Sequence, residues 1–223
     1  MAIKANRSPG SSYKRLLLAA GAAALLGGSL TACFPLLAVG ALAGGALVAT
    51  DRRTSGAQLE DEGIELRAMS RLRENIGSRA RVSATSYNRQ VLLTGEVLNE
   101  QDKKLVEQVV ARIENVSGVV NELAIINSPS LVQRSSDVLI TGQVRALFID
   151  SRELYANAFK VTTERGTVYL MGRVTQREAD RATDIARSAR GVQKVVRILE
   201  HISEEELQRL QPAAARPAAS RMP

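Results

Sequence analysis

The stretch Val91-Leu-Leu-Thr-Gly95-Glu-Val97 decides the fold, because the chain repeats it as Val168-Tyr-Leu-Met-Gly172-Arg-Val174. The two copies lie 77 positions apart. Each is an apolar, β-branched run with one glycine, which is typical of a strand with a bulge or a close backbone approach. We therefore predict a structural role for Gly95 and Gly172, and a chain built from two copies of one domain.

A second strand precedes each copy of this stretch. Residues 81–85 come before the first copy and residues 160–163 before the second. Short polar segments, 86–90 and 164–167, separate the paired runs. Alternating, β-branched runs around a short polar turn predict a β-hairpin in each copy. Gly166 suits a tight turn that needs a positive φ.

Apolar stripes at helical spacing lie before and after each hairpin. After the second hairpin, Thr175 and Glu178 have the spacing of a capping box, and Asn99 is the predicted N-cap at the matching place in the first copy. The stripe of the opening helix has the same spacing in both copies. Its residues are Ile140, Val144, Leu147 and Phe148 in the second copy, and Ile64, Ala68 and Leu72 in the first.

The element order α-β-β-α-β predicts an α+β fold for each copy. Strand–helix–strand units favour a parallel crossover, so the closing runs, 116–126 and 192–199, are expected to complete mixed three-stranded sheets. Two helices on one face would cover such a small sheet. We place the domains at residues 63–127 and 136–202, with a turn-forming break at Asn127-Ser-Pro-Ser130.

The segments outside the repeat are polar or low in complexity. Residues 51–63 are polar and predict a linker, so the connection to the first domain would occupy residues 33–62. Beyond Ser203, an acidic run leads to a tail rich in alanine and proline that lacks core residues. We expect residues 203–223 to be disordered.

The first 32 residues have the composition of an export signal. A basic start precedes an apolar run from Leu16 to Leu30, and small residues follow. The order Leu30-Thr-Ala-Cys33 resembles the bacterial lipobox, in which the cysteine is acylated. The alternative is a retained membrane helix, because apolar residues continue from Phe34 to Ala49, although a proline and three glycines interrupt them. We predict Cys33 as the lipidation site.

The composition excludes several classes of function. Cys33 is the only cysteine and His201 the only histidine, so the chain has no Cys/His pair for a metal or a nucleophile. No glycine-rich phosphate loop is present. We therefore predict no catalytic residue, no metal site and no cofactor. The net charge of +7 falls to about +3 without the basic leader, which does not indicate nucleic-acid binding.

The repeat resembles the BON domain. The resemblance rests on the two glycine-containing runs, on Gly191-Val192 with Val195-Val196, and on Val119-Val-Asn-Glu-Leu123. Asn115 stands where the family usually has a glycine. With the lipobox and the segment from Ala49 to Gly56, the whole chain resembles outer-membrane lipoproteins with two BON domains. Phe34 agrees with this location, since an aspartate after the cysteine marks inner-membrane retention in enteric bacteria.

The resemblance implies a non-enzymatic protein that is lipid-anchored on the periplasmic face of the outer membrane. It implies binding of anionic phospholipid, such as phosphatidylglycerol or cardiolipin, through the first helix of the second BON domain. It also implies a role in envelope integrity and a concentration at the cell division site.

The first helix of the second copy has features that fit this expectation. Leu139 lies off the core stripe, near Gln143, Arg145 and Ala146, and we predict these four residues as the lipid-binding site. Apolar residues beside arginines favour an anionic surface. Leu139 matches Gly63 in the first copy, so the prediction applies to the second copy alone. The alternative is that Leu139 packs against the other domain or widens the core stripe.

A second reading is a protein-interaction module. A sheet face or an edge strand can bind a partner, and an outer-membrane assembly factor or a cell-wall factor would be the candidate.

Overall fold

The computed structural model describes residues 51–126, 131–151 and 153–210. Cys33 and the leader lie outside these residues, as do the break at 127–130 and residues 211–223. Within the described ranges, no helix has both the length and the apolar character needed to cross a bilayer.

The first domain has the predicted order of helices and strands. Its elements are α1 (Ser55–Asn75), β1 (Arg81–Tyr87), β2 (Gln90–Val97), α2 (Glu100–Ala111), β3 (Gly118–Asn121) and β4 (Ala124–Ile125). β1 pairs antiparallel with β2, and β3 and β4 both pair parallel with β2. The predicted closing strand is therefore interrupted, because Leu123 is buried in the core and its N–H bonds the side chain of Asn121.

The second domain repeats this topology without the interruption. Its elements are α3 (Leu131–Asp150), β5 (Phe159–Glu164), β6 (Thr167–Val174), α4 (Gln176–Ser188) and β7 (Lys194–His201), and the short helix α5 (Glu204–Leu210) follows. β5 is antiparallel and β7 parallel to the central strand β6. The α+β prediction, with mixed sheets in two tandem domains, is confirmed.

Each domain has its own apolar core between the helices and one face of its sheet. The predicted stripes supply much of it: Ile64, Ala68, Leu72, Ile140, Val144 and Phe148 are all buried, and Leu147 is partly buried. Thr175 and Glu178 form both hydrogen bonds of the capping box, and the side chain of Asn99 accepts the N–H of Asp102. The helical period of the sequence therefore identified the core.

Two residues predicted as structural lie where a strand backbone comes close. A Cβ atom on Gly95 would overlap with the carbonyl oxygen of Arg81, and φ at Gly95 is +119°. A Cβ atom on Gly172 would overlap with the carbonyl oxygen of Ala158. Both hairpins therefore hold their partner strand closer than a larger residue would permit.

Both hairpin turns use two residues with positive φ, as type I′ turns require. These are Asn88 (49°) and Arg89 (70°) in the first domain, and Arg165 (54°) and Gly166 (71°) in the second. In each domain, a buried carboxylate of the opening helix accepts hydrogen bonds from both N–H groups of the turn. Asp61 accepts those of Asn88 and Arg89 at 2.7 and 2.8 Å, and Asp137 accepts those of Arg165 and Gly166 at 2.8 Å.

The prediction that residues 51–63 form a linker, and with it the linker boundary at residue 62, is wrong. α1 begins at Ser55, and Thr54 caps it by accepting the N–H of Ala57 at 3.1 Å. The polar sequence was misleading because polar residues usually indicate exposure, whereas Asp61 is buried and accepts a hydrogen bond from the hairpin turn. Asn115 adopts φ +68°, so it performs the turn that Gly191 performs in the second domain.

The prediction of disorder from residue 203 is also wrong at its start. Residues Glu204–Leu210 form α5, whose Leu207 is buried and whose Glu206 accepts from Arg173 at 2.9 Å. The buried Leu207 and the ion pairs of Glu206 with Arg173 and of Glu204 with Arg177 attach this short helix to the second domain.

The two sheets pack against each other through the faces that their helices leave open. Tyr87, Leu92, Tyr169, Met171 and Ile198 form this interdomain core, with Val120 and Val196 partly buried around it. Ion pairs surround the interface. Lys160 pairs with Glu65 at 2.6 Å, and Arg81 pairs with Glu96 at 2.7 Å and also with Glu164. The central strands are therefore covered on both faces, which agrees with their continuous apolar sequences.

The segment Asp51–Thr54, which we call the N-terminal clasp, contacts both domains. Arg52 bonds both oxygens of Glu178 at 2.6 and 2.7 Å, and both side chains are buried. Arg53 pairs with Asp61 at 2.7 Å, and its guanidinium lies 4.3 Å from the centre of the Tyr87 ring. The clasp thus joins the second domain through Arg52 and the first through Arg53.

Candidate functional site

The helix α3 has one buried side and one open side. Ile140, Val144 and Phe148 face inward, and the ring of Phe148 lies 5.2 Å from that of Phe159 on β5. These contacts fix the rotation of the helix about its axis. Because the core contacts hold one side of α3 inward, the residues on its opposite side face solvent.

Three large apolar side chains lie on this outer side. Val138 is 72% exposed, Leu139 74% and Ile149 75%. Gly142 and Ala146 lie between them on the same helical side, and both are exposed. We call these five residues the α3 face. The exposure of Leu139 contradicts the alternative that it packs against the other domain or widens the core stripe.

All four residues predicted as lipid-binding lie on α3, but Gln143 and Arg145 are two positions apart and so lie at opposite borders of the α3 face. Leu139 and Ala146 belong to the α3 face, and Gln143 is exposed beside them. Arg145 borders the face on the side of β5, where one of its N–H groups bonds the carbonyl oxygen of Val161 at 3.2 Å. A guanidinium has five N–H groups, so Arg145 keeps donors for an anion.

Two more exposed arginines lie in turns that contact α3, and sequence spacing could not reveal them. Arg165 lies in the hairpin turn that Asp137 holds against α3. Arg190 lies in the turn after α4, where the next residue, Gly191, is close to the side chain of Ile140. Both side chains are exposed, and neither has a carboxylate within ion-pair distance among the residues described. Only the folded chain brings them to α3.

Val138 and Ile149 were also missed, although a local signal existed. Both lie on the side of α3 that Arg145 occupies, at helical spacing from Gly142. A search for apolar residues off the core stripe over the whole helix would have found them.

The first domain offers a different surface at the matching place. α1 also exposes two leucines, Leu59 (70%) and Leu66 (67%). However, Glu60 and Glu62 lie beside them, and Gly63 stands where the second domain has Leu139. The charges beside these leucines are mixed, because Arg67 and Arg73 lie on the same side of α1, whereas Arg145 borders the α3 face.

The described residues contain no group of three or more His, Cys, Asp or Glu side chains that could hold a metal ion. His201 is exposed on β7.

Comparisons with known proteins agree with the repeated fold. The BON domain profile matches residues 60–127 and 136–200. The outer membrane lipoprotein DolP of Haemophilus influenzae is 37% identical over 195 residues, which cover 86% of this chain and 98% of that protein. The 21 kDa hemolysin of Actinobacillus pleuropneumoniae is 30% identical over 154 residues, or 68% of this chain and 79% of that protein.

Among solved structures, the chain matches CdsD, described as a structural protein of the type III secretion system of Chlamydia trachomatis. The identity is 14% and the TM-score 0.27, over 65% of this chain and 95% of that one. The two profile matches and the full-length similarity to a lipoprotein show that this chain belongs to the BON domain family, as a tandem pair in an outer-membrane lipoprotein.

Proposed function

We propose that this lipoprotein binds anionic phospholipid in the periplasmic leaflet through the α3 face and its arginines, and that it supports envelope integrity without catalysing a reaction. The observation that carries the proposal is the α3 face itself. Three large apolar side chains, each more than 70% exposed, lie on one helix with Arg145 at their border, and the exposed Arg165 and Arg190 lie in turns that contact this helix. Scattered single apolar residues are ordinary, but a basic-bordered group on one helix favours a membrane surface.

The magnitudes indicate that both kinds of residue are needed. An arginine near an anionic surface contributes about 1 kcal/mol. Full burial of a leucine contributes about 1.5–3 kcal/mol, and shallow insertion at a headgroup contributes less. Binding by one helix is therefore weak, but a lipid anchor on the same chain holds α3 at a high effective concentration near the membrane.

The test is co-sedimentation of the soluble 51–223 fragment with phosphatidylglycerol vesicles. We expect the double variant Leu139→Glu, Arg145→Glu to lose most of the binding, because it replaces an apolar contact and a positive charge by negative charges. The matched control is Leu66→Glu, Arg67→Glu on α1, where both side chains are similarly exposed. The control should bind the vesicles as the unmodified fragment does. Binding of the unmodified fragment should weaken as salt is added, because salt screens the attraction between the arginines and the lipid.

Undiminished binding by the folded α3 variant would contradict the α3 face as the lipid site. Circular dichroism and thermal melting establish that the variant is folded. Equal losses from the α1 and α3 variants would also count against the proposal, because they would indicate a nonspecific effect of net charge.

A further inference from the structure

A groove of about 360 Å³ lies between α1 and β1 in the first domain. Its helix side is mostly apolar, and Met69, Leu72 and Ile76 line it. Its strand side is the outer edge of β1, including Val82 and Ala84. The groove is open to solvent and is separate from the α3 face.

β1 is an edge strand, and its register shows which backbone groups point outward. The hairpin closes at the pair Tyr87–Gln90, and successive pairs alternate between bonded and non-bonded. Ser86 points outward, since its N–H donates to Glu65 at 2.7 Å and its carbonyl accepts from Lys160 at 3.0 Å. By the same alternation, the N–H and C=O groups of Val82 and Ala84 point into the groove.

The second domain closes the matching edge with larger and charged side chains. Val161 and Phe159 of β5 take the places of Ala84 and Val82, since their partners on the central strands correspond. There Arg145 bonds the outward carbonyl of Val161 at 3.2 Å.

In the first domain, smaller and uncharged side chains leave the edge open. Met69 stands at the position of Arg145, and Leu72 at that of Phe148. In the described part of the first domain, no side chain takes over the hydrogen bond that Arg145 makes. The groove exists because these positions hold smaller residues than their counterparts.

Among the described residues that line the groove, three are charged, and two of these three are in ion pairs. Glu65 is paired with Lys160, and Arg81 with two glutamates. Arg73 also lines the groove, and its guanidinium contacts the sulfur of Met69 at 3.3 Å. Among the described residues, Arg73 has no carboxylate within ion-pair distance.

We propose that β1 accepts an extended segment of a partner protein as an added strand. The segment places alternate apolar side chains against Met69 and Leu72, and an acidic side chain against Arg73. Its backbone pairs with the outward groups of Val82 and Ala84, as in other cases of strand addition. The tail of this chain is a poor occupant, because residues 211–223 contain two arginines, three prolines and no acidic residue. This interaction goes beyond lipid binding and does not depend on the α3 face.

The experiment uses the full chain in lipid nanodiscs and a displayed library of short random peptides. We expect enriched peptides to alternate apolar and polar residues and to carry an acidic residue. A synthetic form of the most enriched peptide should slow amide hydrogen exchange at Val82 and Ala84. The variant Met69→Arg copies the closure seen in the second domain, and it should weaken peptide binding about tenfold or more.

Two controls distinguish strand addition from a charge effect and from simple apolar binding. Leu66→Arg adds the same charge to the same exposed side of α1 outside the groove lining, and it should bind the peptide as the unmodified chain does. An added strand pairs through every second backbone N–H group, so a peptide has two alternate sets of nitrogens. Methylation of the set that pairs with β1 should abolish binding, and methylation of the other set should not.

Three results would overturn the proposal. The first is that no peptide is enriched on the groove. The second is equal binding by the unmodified chain and Met69→Arg. The third is binding that survives methylation of either set of nitrogens, which would show that the groove takes an apolar ligand and not a strand. These results differ from a failure of the lipid proposal, because the lipid test uses variants of α3 and measures vesicle binding, whereas this test uses variants of α1 and measures peptide binding.

Discussion

At the scale of single residues, Gly172 shows how little space the hairpins leave. A Cβ atom there would overlap with the carbonyl oxygen of Ala158. We predict that Gly172→Val destabilises the second domain by several kcal/mol, about 3 or more, because the strand pair must separate. The measurement is urea unfolding.

The matched control for Gly172 is Gly118 on β3. It is also a strand glycine, but a Cβ atom there meets nothing within 4 Å. Gly118→Val should therefore unfold at nearly the unmodified urea concentration. A Gly172→Val variant with an unchanged midpoint would mean that the glycine is incidental.

The structural glycines and the capping residues could be predicted from the sequence, because each depends on a pattern that the sequence itself shows. Thr175 and Glu178 bond within one helical turn. The matching glycines were visible because the chain repeats itself. Arg190 could not be found in this way, because only the packing of its turn against α3 brings it near that helix.

At the scale of elements, Asp61 attaches α1 to the β1–β2 turn. It accepts the N–H groups of Asn88 and Arg89 and the hydroxyl of Ser86, and it pairs with Arg53. Burial alone would raise the pKa of Asp61. The hydrogen bonds from Arg89, Ser86 and Arg53 outweigh that effect and hold the pKa below its usual range.

The lowered pKa of Asp61 predicts a pH dependence of stability. A carboxyl whose pKa is lower in the folded than in the unfolded state stabilises the fold above the unfolded pKa of about 3.9. That contribution is lost as the pH falls through the folded pKa. We expect the free energy of unfolding to fall below about pH 4 in the unmodified chain, and less steeply in Asp61→Asn.

The measurement for Asp61 is urea unfolding of both proteins across the acidic range. Asp61→Asn should also be less stable at neutral pH, because an amide has one acceptor oxygen for four donors. The exposed Glu62→Gln is the control and should change neither result. Identical pH profiles for Asp61→Asn and the unmodified chain would contradict this role.

The start of α1 shows why element boundaries are hard to predict. A polar sequence predicts a linker when polar residues face water, but Asp61 faces the hairpin. Strand order and helix stripes were predicted correctly, because burial alternates with a period that the sequence shows. No sequence period indicates which group a buried polar residue such as Asp61 will bond.

At the scale of the whole molecule, the buried pair of Arg52 and Glu178 joins the N-terminal clasp to the second domain. Removal of one member leaves a buried charge without its partner, which costs about 3–5 kcal/mol. We therefore predict that Arg52→Ala strongly destabilises the fragment in urea unfolding. The relative packing of the domains was not predicted, because the residues of the interdomain core come from both copies.

The control for Arg52 is Arg177→Ala, which removes an exposed ion pair with Glu204 and should cost about 0–1 kcal/mol. Burial alone would raise the pKa of Glu178, but its bonds with Arg52 and Thr175 hold the pKa below its usual range. In Arg52→Ala the loss of stability should therefore be smaller at acidic pH, where Glu178 becomes neutral. A loss that is equal at all pH values would argue against an unpaired charge as the cause.

The position of the clasp has a mechanical consequence. Any tension on a tether that leads from the predicted acylation site at Cys33 enters the described part of the chain at Asp51. Arg52 passes load to the second domain and Arg53 passes it to the first, before it reaches the first turn of α1. We therefore expect force along such a tether to be shared between the two domains at this segment, before it acts on the start of α1.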